Sequence, residues 1–136
     1  MMDWLQQIVV WGAGALVALM VVTQVMVRRR AAALRGQPAP ALPGPLGTQV
    51  SRARQSLLYF FSPSCSACRV TTPCMRALRE QNADVHLVDV SQDLAVASAL
   101  GVMATPSTVE IVEGKVAAYH VGPPPQDVFD RYARAA

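Results

Sequence analysis

The chain has 136 residues, of which 52% are hydrophobic and 15% charged, with a formal net charge of +3 and three cysteines. That length holds one small domain plus an anchor. The surplus charge lies ahead of residue 51, because eight Lys/Arg balance eight Asp/Glu from Ser51 onward, so the basic character gives no reason to expect nucleic-acid binding.

A short N-terminal segment, residues 1–7, carries Asp3 and no Lys or Arg. It is followed by Ile8–Val27, a 20-residue stretch without a charge. About 20 apolar residues at a rise of ~1.5 Å cross a hydrocarbon core of ~30 Å, so 8–27 is expected to be a transmembrane helix. A cleaved signal peptide would need basic residues ahead of a shorter apolar core and a small-residue cleavage site after it. Neither is present around this stretch. Trp4 and Trp11 suit an interfacial position. Gly14 and Ala18, a small-xxx-small pair, say little about dimerisation in a segment so rich in both residues. Arg28, Arg29, Arg30 and Arg35 follow the stretch. The positive-inside rule therefore orients the domain towards the cytoplasm, as in a bacterial inner-membrane protein; the alternative faces the periplasm. The Arg cluster also suits anionic lipid head groups.

Residues 28–50 read as an Arg-rich flank and linker. Pro38, Pro40, Pro43 and Pro45 fall within eight residues, a composition that favours an extended spacer over packed structure. The domain is expected over 51–136. Leu57–Phe61 is a continuous apolar run that reads as a buried strand, at about 56–61. Ser62-Pro63-Ser64 makes a turn, and a helix is expected at about 65–80. Val70, Cys74, Ala77 and Leu78 are expected to face inward on it and Arg69, Arg76, Arg79 and Glu80 to face water. Pro73 inside this helix should kink it. A strand at 85–90, a short helix at 93–100 stopped by Gly101, a hairpin of 107–112 with 115–121 across Glu113-Gly114, and a helix at 127–133 complete the domain. The order is βαβ, then αββα. A right-handed crossover followed by a hairpin yields an α/β fold with a mixed four-stranded sheet and helices on both faces.

Cys65-Ser66-Ala67-Cys68, where the first strand gives way to a helix, is the feature with chemical content. Two cysteines three apart at a helix start lie within the Cα separation of about 4.4–6.8 Å that a disulfide permits. Unpaired N–H groups and the helix dipole there favour an anion, hence thiolate, the form that attacks disulfides. Metal binding would need further ligands. Cys74 is about 9 Å further along the helix, at ~1.5 Å per residue, and on another face. His86 and His120 lie on separate strands and read as ordinary strand residues. Cys74 itself reads as a small buried hydrophobe.

From Leu57 to its C-terminus the chain resembles thioredoxin. The resemblance is carried by the strand–CxxC–helix with Pro73 five residues after Cys68, by Val88-Asp89-Val90, by Leu100-Gly101-Val102 followed by Thr105-Pro106-Ser107, and by Glu113-Gly114-Lys115 with Val121-Gly122. It implies a cis Pro106 facing an active-site disulfide. It also implies that Cys65 is the nucleophile, that Cys68 resolves the mixed disulfide, and that Thr105 and Pro106 hold the incoming chain as an added strand. Met103, just ahead of that loop, either lines the same surface or packs. The departures are Ser66-Ala67 between the cysteines, Ser64 before Cys65, Tyr59 where the family usually has a buried Asp, and no leading strand and helix. The expected function is a membrane-anchored thiol-disulfide oxidoreductase with no cofactor or metal. It would exchange with protein thiols and disulfides and with a thiol protein as electron donor or acceptor. Two alternatives stand beside it: an extracytoplasmic thioredoxin-like protein of cytochrome-maturation type, and a redox-inactive docking module of the same fold.

Overall fold

The structure is a computed structural model describing residues 2–136. The chain divides between Ala33 and Leu34 into two compact units.

The first unit is helical. Helix α1 runs Met2–Leu34, and Met1 of the N-terminal segment lies outside the described residues. Its apolar side chains, among them Trp4, Ile8, Val9, Trp11, Leu16 and Leu19, are exposed. The helix is long and apolar enough to cross a membrane. Thr23, polar within the apolar stretch, satisfies its hydroxyl internally by donating to the Leu19 carbonyl at 2.7 Å. The helix does not end with the apolar stretch but continues through Arg28–Arg30. Arg, Ala and Leu are strong helix formers, and the first stop signal is Gly36, at φ +77°.

The second unit is built on a sheet of four strands in the order β2-β1-β3-β4. They are β1 (Gln55–Phe61), β2 (Val85–Asp89), β3 (Ser107–Val112) and β4 (Lys115–Val121). β1 pairs parallel with β2 and antiparallel with β3, and β3 pairs antiparallel with β4. The helices are α2 (Gly44–Arg52), α3 (Cys68–Gln81), α4 (Leu94–Ala99) and α5 (Gln126–Arg134). β1 is central, and Leu57, Leu58, Tyr59 and Phe60 are all 0% exposed, which requires cover on both faces. On one face Leu57, Tyr59 and Val85 pack with Met75 and Leu78 of α3 and with Val128 and Tyr132 of α5. Strand alternation sends Leu58, Phe60 and Val88 to the other. The β3–β4 turn places Glu113 at φ 51° and Gly114 at φ 75°, the doubly positive turn that suits the twist of a two-residue hairpin.

Several expectations are corrected. The stretch 31–50 is not an extended spacer throughout. Gly36 N–H donates to the Val116 carbonyl at 2.7 Å, Val116 N–H to Gln37 at 3.0 Å and Ala39 N–H to Gly114 at 2.8 Å, so 36–39 lies along the edge of β4. Further on, α2 forms and buries Val50, supplying a helix ahead of β1 where none is expected. Pro45 stands in the first turn of α2, where its fixed φ favours a helix; counted by composition alone, it reads as a breaker.

Helix α3 begins at Cys68 rather than at Cys65, and its inward line is Cys68, Thr72, Met75 and Leu78. Val70 is 80% exposed, and Cys74 and Ala77 are exposed as well. Cys74 is therefore a free surface thiol and not a buried hydrophobe. Both lines have helical spacing. The one that turns inward is the one that starts at Cys68, which a disulfide ties back to the preceding turn.

The sheet also holds a buried carboxylate. Glu110 on β3 is 3% exposed. Arg131 of α5 donates to it from Nη1 at 2.9 Å and Nη2 at 3.3 Å, and the Tyr132 hydroxyl donates at 3.3 Å. Burial, and then the neighbouring carboxylate, push the Tyr132 phenol above its ordinary range. The hydrogen bond to Glu110 raises the Arg131 guanidinium as well.

Candidate active site

The site grows from the C-terminal end of β1. After Phe61 the chain turns through Ser62-Pro63-Ser64, with Cys65 N–H donating to the Ser62 carbonyl at 3.1 Å and the Ser62 and Ser64 hydroxyls paired at 2.9 Å. Cys65 comes next in the turn, and Cys68 opens α3. The two are joined as a disulfide with Cα atoms 5.3 Å apart. Cys68 is 2% exposed, whereas Cys65 is partly exposed. The Cys68 backbone N–H donates to Cys65 Sγ at 3.2 Å. It belongs to the first turn of α3, where N–H groups lack helical acceptors, so the stabilisation of negative charge falls on Cys65 although that residue precedes the helix. Chemically the pair is a reducible disulfide with one accessible sulfur and one enclosed sulfur.

The Thr105–Pro106 peptide is cis. Ser107, the next residue, pairs with Phe60 at the end of β1 from which the cysteine turn leaves, so sheet register brings Pro106 and Cys65 to one edge of the domain. Pro106 is buried, its carbonyl accepting from Gly122 N–H at 2.7 Å, and Thr105 is half-buried. The Ser107 hydroxyl donates to the Ala104 carbonyl at 2.6 Å, closing the loop on itself. Met103 is 67% exposed on that loop.

A groove of about 340 Å³ opens beside Cys68, lined also by Phe61, Pro63, Arg69, Thr72, Pro73, Arg76 and Asp89. Within its wall the Thr72 hydroxyl is paired with the Tyr59 hydroxyl at 3.2 Å. Tyr59 is 0% exposed. Thr72 is a site residue that the sequence reading misses; its spacing of four from Cys68, one turn along the same helix face, is the signal that could have found it. Helix α3 runs on through Pro73, whose ring leaves the Arg69 carbonyl without its helical donor.

Other titratable groups stand apart. Desolvation and Arg79 lower the pKa of His86 on β2; desolvation and Arg35 lower that of His120 on β4. Among the described residues no three His, Cys, Asp or Glu side chains gather in a way that could hold a metal ion.

Residues 46–135 match the thioredoxin family model. Among solved structures, a thioredoxin mutant from Halobacterium salinarum NRC-1 is 26% identical with a TM-score of 0.55, the match covering 74% of this chain and 95% of that one. Thioredoxin from Fasciola hepatica is 27% identical with a TM-score of 0.53, covering 67% and 88%. NADPH-dependent thioredoxin reductase 3 from Arabidopsis thaliana is 39% identical over 56 residues, which are 39% of this chain but 11% of that much longer protein. The sheet order, the cysteine pair at the start of α3, the cis proline at the same end of the sheet and the match over 46–135 agree, and the chain belongs to the thioredoxin family.

Proposed function

We propose that this protein is a membrane-anchored thiol-disulfide oxidoreductase that exchanges disulfides with protein substrates through Cys65 and Cys68. The family and the cysteine pair support a thiol-disulfide oxidoreductase in general. The observation that carries the finer assignment is the asymmetry of the pair, an accessible sulfur that receives the Cys68 N–H and an enclosed sulfur behind it. Cys65 attacks as the thiolate, a mixed disulfide forms, and Cys68 displaces the partner. Thr105 and Pro106 hold the incoming segment by backbone pairing and Met103 adds apolar contact. The chain exchanges electrons with another thiol protein. The purified full chain in detergent is expected to accelerate the reduction of insulin disulfides by dithiothreitol. A rate equal to that of dithiothreitol alone would overturn the assignment in favour of a docking module.

The anchor is α1. Four arginines follow the apolar stretch and Asp3 precedes it, which favours a cytoplasmic domain. A fluorescent protein fused to the C-terminus is therefore expected to be active and an alkaline phosphatase fusion inactive. The opposite pair of results would place the domain outside the cytoplasm and support the extracytoplasmic alternative.

A further inference from the structure

We propose that a second copy of this chain pairs with the outer edge of β2, joining the two sheets about a two-fold axis at Leu87. β2 ends the sheet on one side, as β4 does on the other. The β4 edge is blunted. Residues 36–39 bond along its start, and a bulge interrupts its pairing with β3 between Glu110 and Ile111. Among the described residues nothing pairs with the far side of β2, which also lacks a bulge, a proline and a lysine.

The phase of the backbone decides what this edge offers. Leu57 N–H donates to the Asp84 carbonyl at 2.8 Å and Val90 N–H to the Phe61 carbonyl at 3.0 Å. Leu57 stands beside Val85 and Phe61 beside Asp89. In a parallel ladder of that register His86 and Val88 bond to β1, and Val85, Leu87 and Asp89 turn their backbone groups outward. The turns at either end already use one group each. Val85 N–H donates to the Asn82 carbonyl at 3.2 Å, and the Asp89 carbonyl accepts from Gln92 and Asp93 N–H at 3.1 and 2.8 Å. The carbonyls of Val85 and Leu87 and the N–H groups of Leu87 and Asp89 remain. That set is self-complementary. In an antiparallel pair centred on Leu87, the two Leu87 residues exchange both bonds and each Asp89 N–H meets the Val85 carbonyl of the second copy. An unrelated strand in the same place would present a carbonyl opposite Val85 N–H and an N–H opposite the Asp89 carbonyl, and both would go unanswered. In a second copy those two groups are satisfied by its own turns.

The side chains fit the same occupant. Half-buried Leu87, with Phe61, lines a trough of about 500 Å³ along this edge. Arg76, Arg79, Glu80, Asp89 and Asp93 also line it, and none of them is in an ion pair; the ion pairs among the described residues are Arg54–Glu113 and Arg131–Glu110. A face that carries both signs, unpaired within one copy, suits a two-fold contact in which each copy sets its cations against the carboxylates of the other. A partner of a single sign would be repelled by part of it. Phe61, Arg76 and Asp89 line the groove beside Cys68 as well, so the pairing reaches the wall of the reactive groove.

The test uses the oxidised full chain in detergent with Cys74→Ser, so that the exposed thiol cannot link copies. Sedimentation equilibrium is expected to show a monomer–dimer equilibrium, with the Leu87 and Asp89 amides gaining protection from hydrogen exchange as the dimer forms. Leu87→Pro removes one donor from each copy. It is expected to weaken the dimer by about 30-fold, the effect of losing two hydrogen bonds of ordinary net strength. Arg76→Glu with Arg79→Glu, and separately Glu80→Lys with Asp93→Lys, change only exposed side chains and carry the test if Leu87→Pro does not fold. Each double variant is expected to be monomeric alone, and an equimolar mixture of the two to pair. A wild-type chain that stays monomeric up to about 1 mM would overturn the proposal and leave the edge to a strand of another protein. A dimer whose Leu87 and Asp89 amides exchange as fast as in the monomer, or one that persists in both double variants, would overturn it in favour of another surface. Failure of the mixed double variants to pair would overturn it too.

Discussion

Cys65→Ser is expected to abolish disulfide exchange, and Cys68→Ser to leave the protein covalently joined to its partner. The two cysteines are three residues apart and bonded to each other, but their surroundings differ in a way that divides the work. Cys65 is the accessible sulfur and accepts the Cys68 backbone N–H at 3.2 Å, a contact that favours its thiolate. Without it, no sulfur of the pair is both reachable and activated, and the rate of insulin reduction is expected to fall to that of dithiothreitol alone. Without Cys68 the attack still occurs, but nothing displaces the partner, so a mixed disulfide accumulates at Cys65. The check is a shift in mass on non-reducing gels that dithiothreitol reverses, made with Cys74→Ser because Cys74 is exposed and free. Full activity in Cys65→Ser would contradict the assignment of the nucleophile. In cells the trapped adduct identifies the partner directly.

Arg131→Met is expected to destabilise the domain by about 2–3 kcal/mol, near the lower end of the loss caused by removing one partner of a buried ion pair. The reason is the inequality of the two ends. The Arg131 side chain is 51% exposed while that of Glu110 is 4% exposed, so the mutation returns little to water on the arginine side and strands a carboxylate inside the protein. Tyr132 remains as a donor at 3.3 Å, which limits the loss. Replacing both Glu110 and Arg131 with methionine should recover much of it, because no charge is then left buried. Urea midpoints at constant m-value measure both changes. A loss below about 0.5 kcal/mol in the single variant, the range of an ordinary surface substitution, would show that Glu110 does not depend on Arg131. The phenol of Tyr132 is held protonated more firmly in the folded state than in the unfolded chain. Above about pH 10, its ordinary pKa, the unfolded chain releases that proton first, so stability falls as pH rises.

Much of the fold is legible residue by residue. The strands 107–112 and 115–121 stand where alternation and the Glu113-Gly114 turn place them, and β1 and β2 differ from expectation by one residue at an end. Those signals are local: a two-residue turn sets the register of its own hairpin, and an apolar run of strand length between polar turns has few other ways to be buried. The pairing of Cys65 with Cys68 is legible for the same reason, as is the charge asymmetry around the apolar stretch.

What the sequence does not carry is which way a helix turns once it is packed, and what a polar residue meets across the sheet. Val70, Cys74 and Ala77 form as regular an apolar line as the one that is buried, and their individual hydrophobicity argues for them. The inward face of α3 is instead set by the disulfide that holds Cys68 against the preceding turn and by the Tyr59 hydroxyl, which needs a partner and finds Thr72 thirteen residues away. Glu110 likewise sits in an apolar strand with nothing nearby in sequence to explain it, and its partners come from α5, 21 and 22 residues later. Local propensity and spacing therefore determined the four strands, the helices α3, α4 and α5, their order and the cysteine pair, but not α2. Only the tertiary structure decided the faces, because the cost of leaving a buried hydroxyl or carboxylate unpaired outweighs the transfer of one small apolar side chain to water.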